Sequence, residues 1–276
     1  MIYIHPDYSR LFKKFQNVDD FLCIKVDLVR DFKNRKTGRF VIDGHGFYIK
    51  KHFECGCGMI LDELLHLRKP HIGAEHEKNV LNKLHAIGID TMKVVAFGKE
   101  GKSLDKQRSF LVTEELTNVR SLEDICKKWP TDRPSATFKK SLINQVALIA
   151  QKLHSNGLNH RDFYLCHFLL DISGFAKENE IRQPKLFLID LHRAQERSQT
   201  PYRWRVKDIG GLYFSAMDIG LKQRDIFRFM RKYSGKSLNQ TLHEDRRFWK
   251  DVQNRATKMY KKESAKCAAR EGKIKN

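Results

Sequence analysis

Between residues 139 and 190 the chain carries signals in an order that few folds can satisfy. Leu142, Ile143, Val146, Ile149, Ala150 and Leu153 recur at helical spacing, and Gly157 follows as a stop. A charged stretch comes next, Asn159-His160-Arg161-Asp162-Phe163-Tyr164-Leu165-Cys166-His167. Two short apolar runs complete the order: Phe168-Leu169-Leu170, then Lys185-Leu186-Phe187-Leu188-Ile189, closed by Asp190. An amphipathic helix must therefore deliver the chain into a loop, and a β-hairpin must carry it out again. Asp162 and Asp190 then lie at opposite ends of the hairpin's path, aimed at one cleft.

Two carboxylates on separate loops can divide the labour of phosphoryl transfer. One orients a hydroxyl and accepts its proton; the other holds the magnesium that neutralises the phosphates. The tripeptide His160-Arg161-Asp162 is too short to argue from alone, but a helix before it, an apolar strand after it and an aspartate ending the next strand give it weight. Asp162 is the candidate catalytic residue and Asp190 the candidate metal ligand. His167 stands five residues past Asp162, where protein kinases place the asparagine that binds a second magnesium. It is a candidate metal residue, although imidazole prefers softer metals than magnesium, and a structural histidine is the competing reading.

Upstream, the pattern is β-rich. Phe40-Val41-Ile42 and Phe47-Tyr48-Ile49 flank Asp43-Gly44-His45-Gly46, a hairpin signal that sets Lys50 at a strand end. Ala74, Glu77, Leu81 and Leu84 predict a helix over 74–85 that stops at Gly88, with Glu77 on its apolar stripe. A carboxylate there needs a cation, and Lys50 is the candidate; together they would grip the phosphates of ATP. Strands are expected over 91–97 and 109–113, followed by a hinge in which backbone groups of Glu115 and Leu116 face the adenine edge. Ser121 is a helix N-cap signal. No Gly-x-Gly-x-x-Gly loop precedes Lys50; a turn from Asp31 to Gly38 takes its place, with Lys33, Arg35 and Lys36 as side-chain cations over the phosphates. Asp208, read as opening a helix over 209–217, either caps that helix or anchors the catalytic loop. The fold class is therefore α+β, bilobal and protein-kinase-like: a β-rich N-lobe over 1–116, a mainly helical C-lobe over 117–262, and a basic tail over 263–276.

A formal charge of +20 in 276 residues implies attraction to polyanions without choosing among nucleic acid, anionic lipid and a phosphate-bearing substrate. Its distribution is more telling, since Arg193, Arg197, Arg203, Arg205 and Lys207 crowd just after Asp190, where a substrate would enter. The six cysteines show no repeated pair spacing beyond Cys55-Gly56-Cys57, so reduced thiols are expected rather than a disulfide framework or a zinc site. Neither an apolar run of spanning length nor a secretory start is present, and a cytoplasmic chain is expected.

Several strings go beyond generic kinases: Gly88-Ile89-Asp90-Thr91-Met92 with Val95-Ala96-Phe97-Gly98, Ser109 to Leu116, Asn159 to Asp162 with Cys166 to Leu170, and Ile189 to Gln195. Arg203-Trp204-Arg205 with Lys207-Asp208, Gly211 to Ser215 and Asp218 to Leu221 continue them. On these residues the chain resembles the lipopolysaccharide core heptose(I) kinases, the WaaP (RfaP) family of the kinase-like superfamily. The resemblance implies transfer of the γ-phosphoryl group of ATP, with Mg2+, to the first heptose of a lipopolysaccharide inner-core glycolipid at the cytoplasmic face of the inner membrane. It assigns Asp162 as base, Asp190 as magnesium ligand and Lys50 with Glu77 as phosphate clamp. It also implies peripheral contact with the anionic inner-membrane surface, and acyl carrier protein as a possible partner.

The chain departs from protein kinases at His192, which follows the metal aspartate where they have glycine two places on, and in lacking an Ala-Pro-Glu motif. A saccharide acceptor is favoured over a peptide. Another sugar or protein kinase of the same fold, a catalytically dead nucleotide-binding scaffold and a nucleic-acid-binding protein are the other readings. The scaffold is opposed by Lys50, Glu77, Asp162 and Asp190 all being present. A specific nucleic-acid role is opposed by the want of a recognisable binding motif.

Overall fold

The computed structural model describes residues 1–32, 34–54, 73–103, 105–175 and 177–274. The chain divides into two compact units, Met1–Lys83 with Met92–Thr117, and Leu84–Thr91 with Asn118–Asn276.

Among the described residues of the first unit are β1 (Ile2–Ile4), α1 (Val18–Leu22), β2 (Asp27–Phe32), β3 (Arg35–Ile42), β4 (His45–His52), most of α2 (Glu75–Ala86), β5 (Val94–Glu100) and β6 (Arg108–Glu114). The strands form one antiparallel sheet in the order β1-β5-β6-β4-β3-β2. The expected hairpin is β3–β4, and its turn is tighter than the four residues proposed. Only Asp43 and Gly44 lie outside the strands, with φ of 47° and 80°. That is the left-handed pair a two-residue turn between twisted strands requires. The turn expected over Asp31–Gly38 is likewise shortened, because Asp31 and Phe32 belong to β2 and Arg35 to Gly38 belong to β3. Lys33 lies outside the described residues, as do Cys55 and Cys57. The strand expected over 91–97 begins at Val94 and runs to Glu100.

Alternation along β4 sorts its side chains onto two faces. Phe47 and Ile49 enter an aromatic core with Phe12, Phe21, Phe40 and Phe110, and Phe21 stacks on Phe110 with centroids 4.0 Å apart. Lys51 points the same way. Its buried ammonium donates to the carbonyls of Leu22 and Ile24 at 2.9 and 2.6 Å, where the C-terminal end of α1 offers unpaired acceptors. Lys50 is thereby left on the opposite face.

The second unit carries β7 (Val119–Ser121), α3 (Leu122–Cys126), α4 (Ala136–Ser155), β8 (Leu158–Asn159), β9 (Phe168–Asp171), β10 (Leu186–Leu188), β11 (Gln195–Glu196), α5 (Tyr202–Ser215), α6 (Gln223–Ser234), α7 (Leu238–Glu244) and α8 (Arg246–Ile274). Ser121 caps α3 by accepting from the Asp124 amide at 3.1 Å. The expected helix is α4, which buries Leu142, Val146, Ile149, Ala150 and Leu153. Gly157 after it has φ of 76°, and a Cβ there would lie 1.9 Å from the Arg197 carbonyl, so no other residue fits. β9 and β10 pair antiparallel as the expected hairpin. One expectation changes: the helix read from residue 209 begins at Tyr202. The basic stretch from residue 263 lies in α8, which runs as far as Ile274. No helix among the described residues is long and apolar enough to cross a membrane.

Candidate active site

In the first unit the structure brings Lys50 and Glu77 together. The Lys50 Nζ donates to Glu77 Oε1 at 2.5 Å. Ala74, Leu81 and Leu84 are fully buried on the same stripe of α2, and the Glu77 side chain is 6% exposed. A carboxylate so placed is tolerable only with a cation against it. Lys50, 26% exposed, keeps the access that a phosphate-binding ammonium needs. The neighbouring Lys51 is buried and committed to the Leu22 and Ile24 carbonyls.

The other nucleotide residues expected in this unit are placed differently. Lys36 pairs across the strands with Asp31 at 3.2 Å, and Arg35 is half-buried in β3 opposite His52. Glu115 directs its carboxylate to Arg39, with both contacts at 2.7 Å, and its N–H donates to the Gly46 carbonyl at 3.0 Å. Its N–H is therefore committed within the sheet. Leu116 after it is half-buried.

In the second unit the catalytic loop is held from three sides. The buried His160 ring contacts the Ile189 carbonyl through Nε2 at 2.9 Å, and burial holds this histidine below its ordinary pKa. The neutral ring donates Nε2–H, tying the loop to the residue before Asp190. The Ile189 amide donates back to the His167 carbonyl at 3.0 Å. From α5, the Asp208 carboxylate accepts the amides of His160 at 2.6 Å and Arg161 at 2.8 Å. Asp208 is fully buried within α5 rather than at its start, so it anchors the loop and caps no helix. Gly211, also in α5, lets the loop approach: a Cβ there would stand 3.2 Å from the Tyr164 ring and 3.3 Å from the Phe163 carbonyl.

These bonds bring Asp162 and Asp190 into one array. His167 spans them, with Nδ1 2.6 Å from the Asp162 carbonyl oxygen and Nε2 3.4 Å from Asp190 Oδ2. Burial opposes charge on this ring, but the Cys166 side chain, the Asp162 carbonyl and the Asp190 carboxylate outweigh it and raise its pKa to about 9. The ring thus bridges the Asp162 carbonyl and the Asp190 carboxylate, beside the acid expected to hold the metal. His192 Nδ1 also contacts Asp190 Oδ1, and Asp190 adopts a left-handed backbone with φ of 61°. Arg161 does so too, at 76°. Such conformations cost energy and persist where surrounding bonds over-determine them.

The Asp162 carboxylate, 17% exposed, receives Arg193 Nη1 at 2.9 Å from each oxygen. That pairing was not read from sequence, and the spacing of 31 residues gives no local signal for it. Of the basic residues expected near the substrate, Arg205 stacks on Tyr202 and Phe248 instead, at 6.0 and 5.6 Å. Arg161, not named among them, joins Arg197, Arg203 and Lys207 around the Trp204 ring.

The Asp190 carboxylate is a hard oxygen donor of the kind that magnesium takes. No group of three or more His, Cys, Asp or Glu side chains among the described residues forms an all-protein cage.

A profile of the lipopolysaccharide kinase (Kdo/WaaP) family matches residues 19–233. Two Escherichia coli proteins called lipopolysaccharide core heptose(I) kinase WaaP are similar to the chain. One is 39% identical over 94% of this chain and 97% of its own length. The other is 44% identical over 78% of this chain and 80% of its own. A solved structure described as WaaP in complex with acyl carrier protein superposes with a TM-score of 0.80 and 33% identity, covering 94% of this chain and 99% of that one. The fold is thus α+β and kinase-like, and the match to the family profile, with relatives aligned almost end to end, makes this chain a member of the lipopolysaccharide kinase (Kdo/WaaP) family.

Proposed function

We propose that the chain is a lipopolysaccharide core heptose(I) kinase, an ATP-dependent phosphotransferase acting on a sugar hydroxyl of the inner core. The observation that carries the reading is similarity to a heptose(I) kinase along 94% of the chain, with the acids of the Asp162–His167–Asp190 array in place.

Lys50, positioned by Glu77, holds the nucleotide phosphates, while the Glu115 carbonyl and Leu116 face the base. Arg35 and Lys36 supply positive charge nearby in sequence, Lys36 shared with Asp31. Asp162 orients the acceptor hydroxyl and takes its proton as the oxygen attacks the γ-phosphorus, whose bond to the β,γ-bridging oxygen breaks to release ADP. Asp190 holds magnesium, which when bound neutralises charge building on the phosphates. His167 keeps the two acids in register. Because catalysis of this kind is positioning plus electrostatics, the buried anchors His160 and Asp208 matter as much as the acids they place.

The acceptor is a glycolipid, so the enzyme works at the cytoplasmic face of the inner membrane, held peripherally through its basic surface. An acyl carrier protein suits the helical unit. That unit carries an open, mainly apolar pocket of about 630 Å³ lined by residues including Leu122, Trp129, Leu142, Leu212 and Met230, the kind of surface an acyl chain would take. A mass spectrum of the purified protein carrying an acyl-carrier thioester would support this partner.

The decisive experiment incubates purified core oligosaccharide with ATP, magnesium and the protein, and reads a mass gain of one phosphate. Asp162→Ala should abolish the gain and leave ATP binding in place. Wild-type turnover by that variant would remove Asp162 from the mechanism.

A further inference from the structure

Beside Asp162 the second unit gathers several positive charges around one aromatic ring. Arg161, Arg197, Arg203 and Lys207 lie 5.1, 5.7, 5.3 and 5.1 Å from the centroid of one indole, Trp204. Arg193 completes the group through its contact with Asp162. The adjacent carboxylates are Asp162, engaged by Arg193, and Asp208, which accepts two amides and the His154 ring.

The crowding is costly. Burial, and then the charges of Arg161 and Arg193, pull the Lys207 ammonium below its ordinary pKa; burial, Arg193 and Arg197 do the same to Arg161. Arg203 also sits in the first turn of α5, where the helix dipole disfavours cations and no acidic residue or side-chain cap offsets it. Finally, the buried Nε of Arg161 and Nε1 of Trp204 have no hydrogen-bond partner. Attraction to the indole face returns part of this cost, but it supplies no counter-charge. A site that keeps like charges together and donors unpaired is built for an anion that arrives from outside.

We propose that Arg161, Arg203 and Lys207, grouped at Trp204, together with Arg193 on Asp162, form the subsite for an anionic group of the saccharide acceptor, adjoining the hydroxyl that is phosphorylated. This rests on the kinase reading and deepens it. Planar guanidinium forks suit either a carboxylate or a phosphate. Arg193, pinned on the base in the free protein, transfers to the incoming anion and uncovers Asp162, so the base is freed when the correct acceptor is seated.

The test uses full-length protein, Lys207→Gln alone and combined with Arg203→Gln, and deacylated core oligosaccharide in three forms: untreated, carboxyl-reduced and dephosphorylated. The double variant should raise KM for the untreated acceptor about tenfold while KM for ATP stays unmoved. The treatment that erases this difference between variant and wild type identifies the anion. Without acceptor, Lys207→Gln should melt a few degrees above wild type, because a repelled charge has gone. An unchanged acceptor KM, a rise confined to ATP, or a difference that survives both treatments would each overturn the proposal. Calorimetry without ATP separates the two levels of inference. Acceptor binding that is lost in the variant, with no phosphorylation by wild type, sinks the kinase reading and keeps the subsite. Phosphorylation with full binding by the variant does the reverse. Tighter binding of a single-stranded oligonucleotide than of the saccharide would also overturn the assignment.

Discussion

Asp208→Asn tests whether the catalytic loop is held in place from α5. The carboxylate is fully buried and accepts the His160 and Arg161 amides at 2.6 and 2.8 Å. Hydrogen bonds to a charged acceptor are worth about 1.5–3 kcal/mol each. Asparagine has nearly the same shape but one oxygen, so one amide keeps a neutral acceptor and the other meets an NH2 group. The expected loss is about 2–4 kcal/mol, a large part of the roughly 5–15 kcal/mol that holds a domain folded, and a fall in Tm of roughly 5–12 °C. Activity should fall further than stability explains. Arg161 sits at φ 76°, a conformation costing about 1–3 kcal/mol, and the Asp208 bond to its amide is one of the restraints that hold it there. Once that restraint weakens, Arg161 relaxes and Asp162, the next residue, moves with it; a displacement near 1 Å costs about a hundredfold in rate. Urea titration followed by tryptophan fluorescence gives the first quantity, and kcat at saturating ATP below the melting range gives the second. A variant with wild-type kcat would show that Asp208 does not position the base, whatever happened to stability. One that lost neither would refute the anchoring argument altogether.

Lys50→Met leaves the Glu77 carboxylate buried without its cation and should cost about 3 kcal/mol as well as nucleotide turnover. The double variant Lys50→Met with Glu77→Leu should recover the stability and not the turnover, so a double variant as unstable as the single one contradicts the pairing. Gly98→Ala puts a Cβ 2.2 Å from the ring of Phe110, which is fully buried and stacked on Phe21; destabilisation of about 1–3 kcal/mol is expected in chemical denaturation, and a neutral result would count against that packing. In metal-free protein, His167 should titrate near pH 9, above its usual 6.5. Its folded-state pKa is raised, so its contribution to stability is complete below pH 6.5 and is lost as pH rises through about 9. Imidazole NMR resonances with a midpoint below pH 7 would contradict the bridging role.

What could be read from sequence was governed by local periodicity, and what could not was governed by contacts between distant residues. Helix α4, the β3–β4 and β9–β10 hairpins and the buried stripe carrying Glu77 all follow from spacings of 2 and 3.6. The start of α5 did not, because Arg203, Arg205 and Lys207 in its first two turns hide the apolar stripe that begins at Ile209. With that start misplaced, a cap and a loop anchor were equally open for Asp208, and its partners His160 and Arg161, which decide it, lie 48 and 47 residues away. Composition had already counted the cations after Asp190, but a count cannot distinguish a solvated face from a crowded one. Arg205 shows the difference: it neighbours Trp204 in sequence yet lies against Tyr202 and Phe248, while Arg161, 43 residues before Trp204, lies against its ring. Only when the loop is bonded to α5 do Arg161 and Lys207 come close enough to repel one another. The bonds that place the base therefore also concentrate the positive charge beside it, which is why loss of Asp208 should weaken acceptor binding together with turnover.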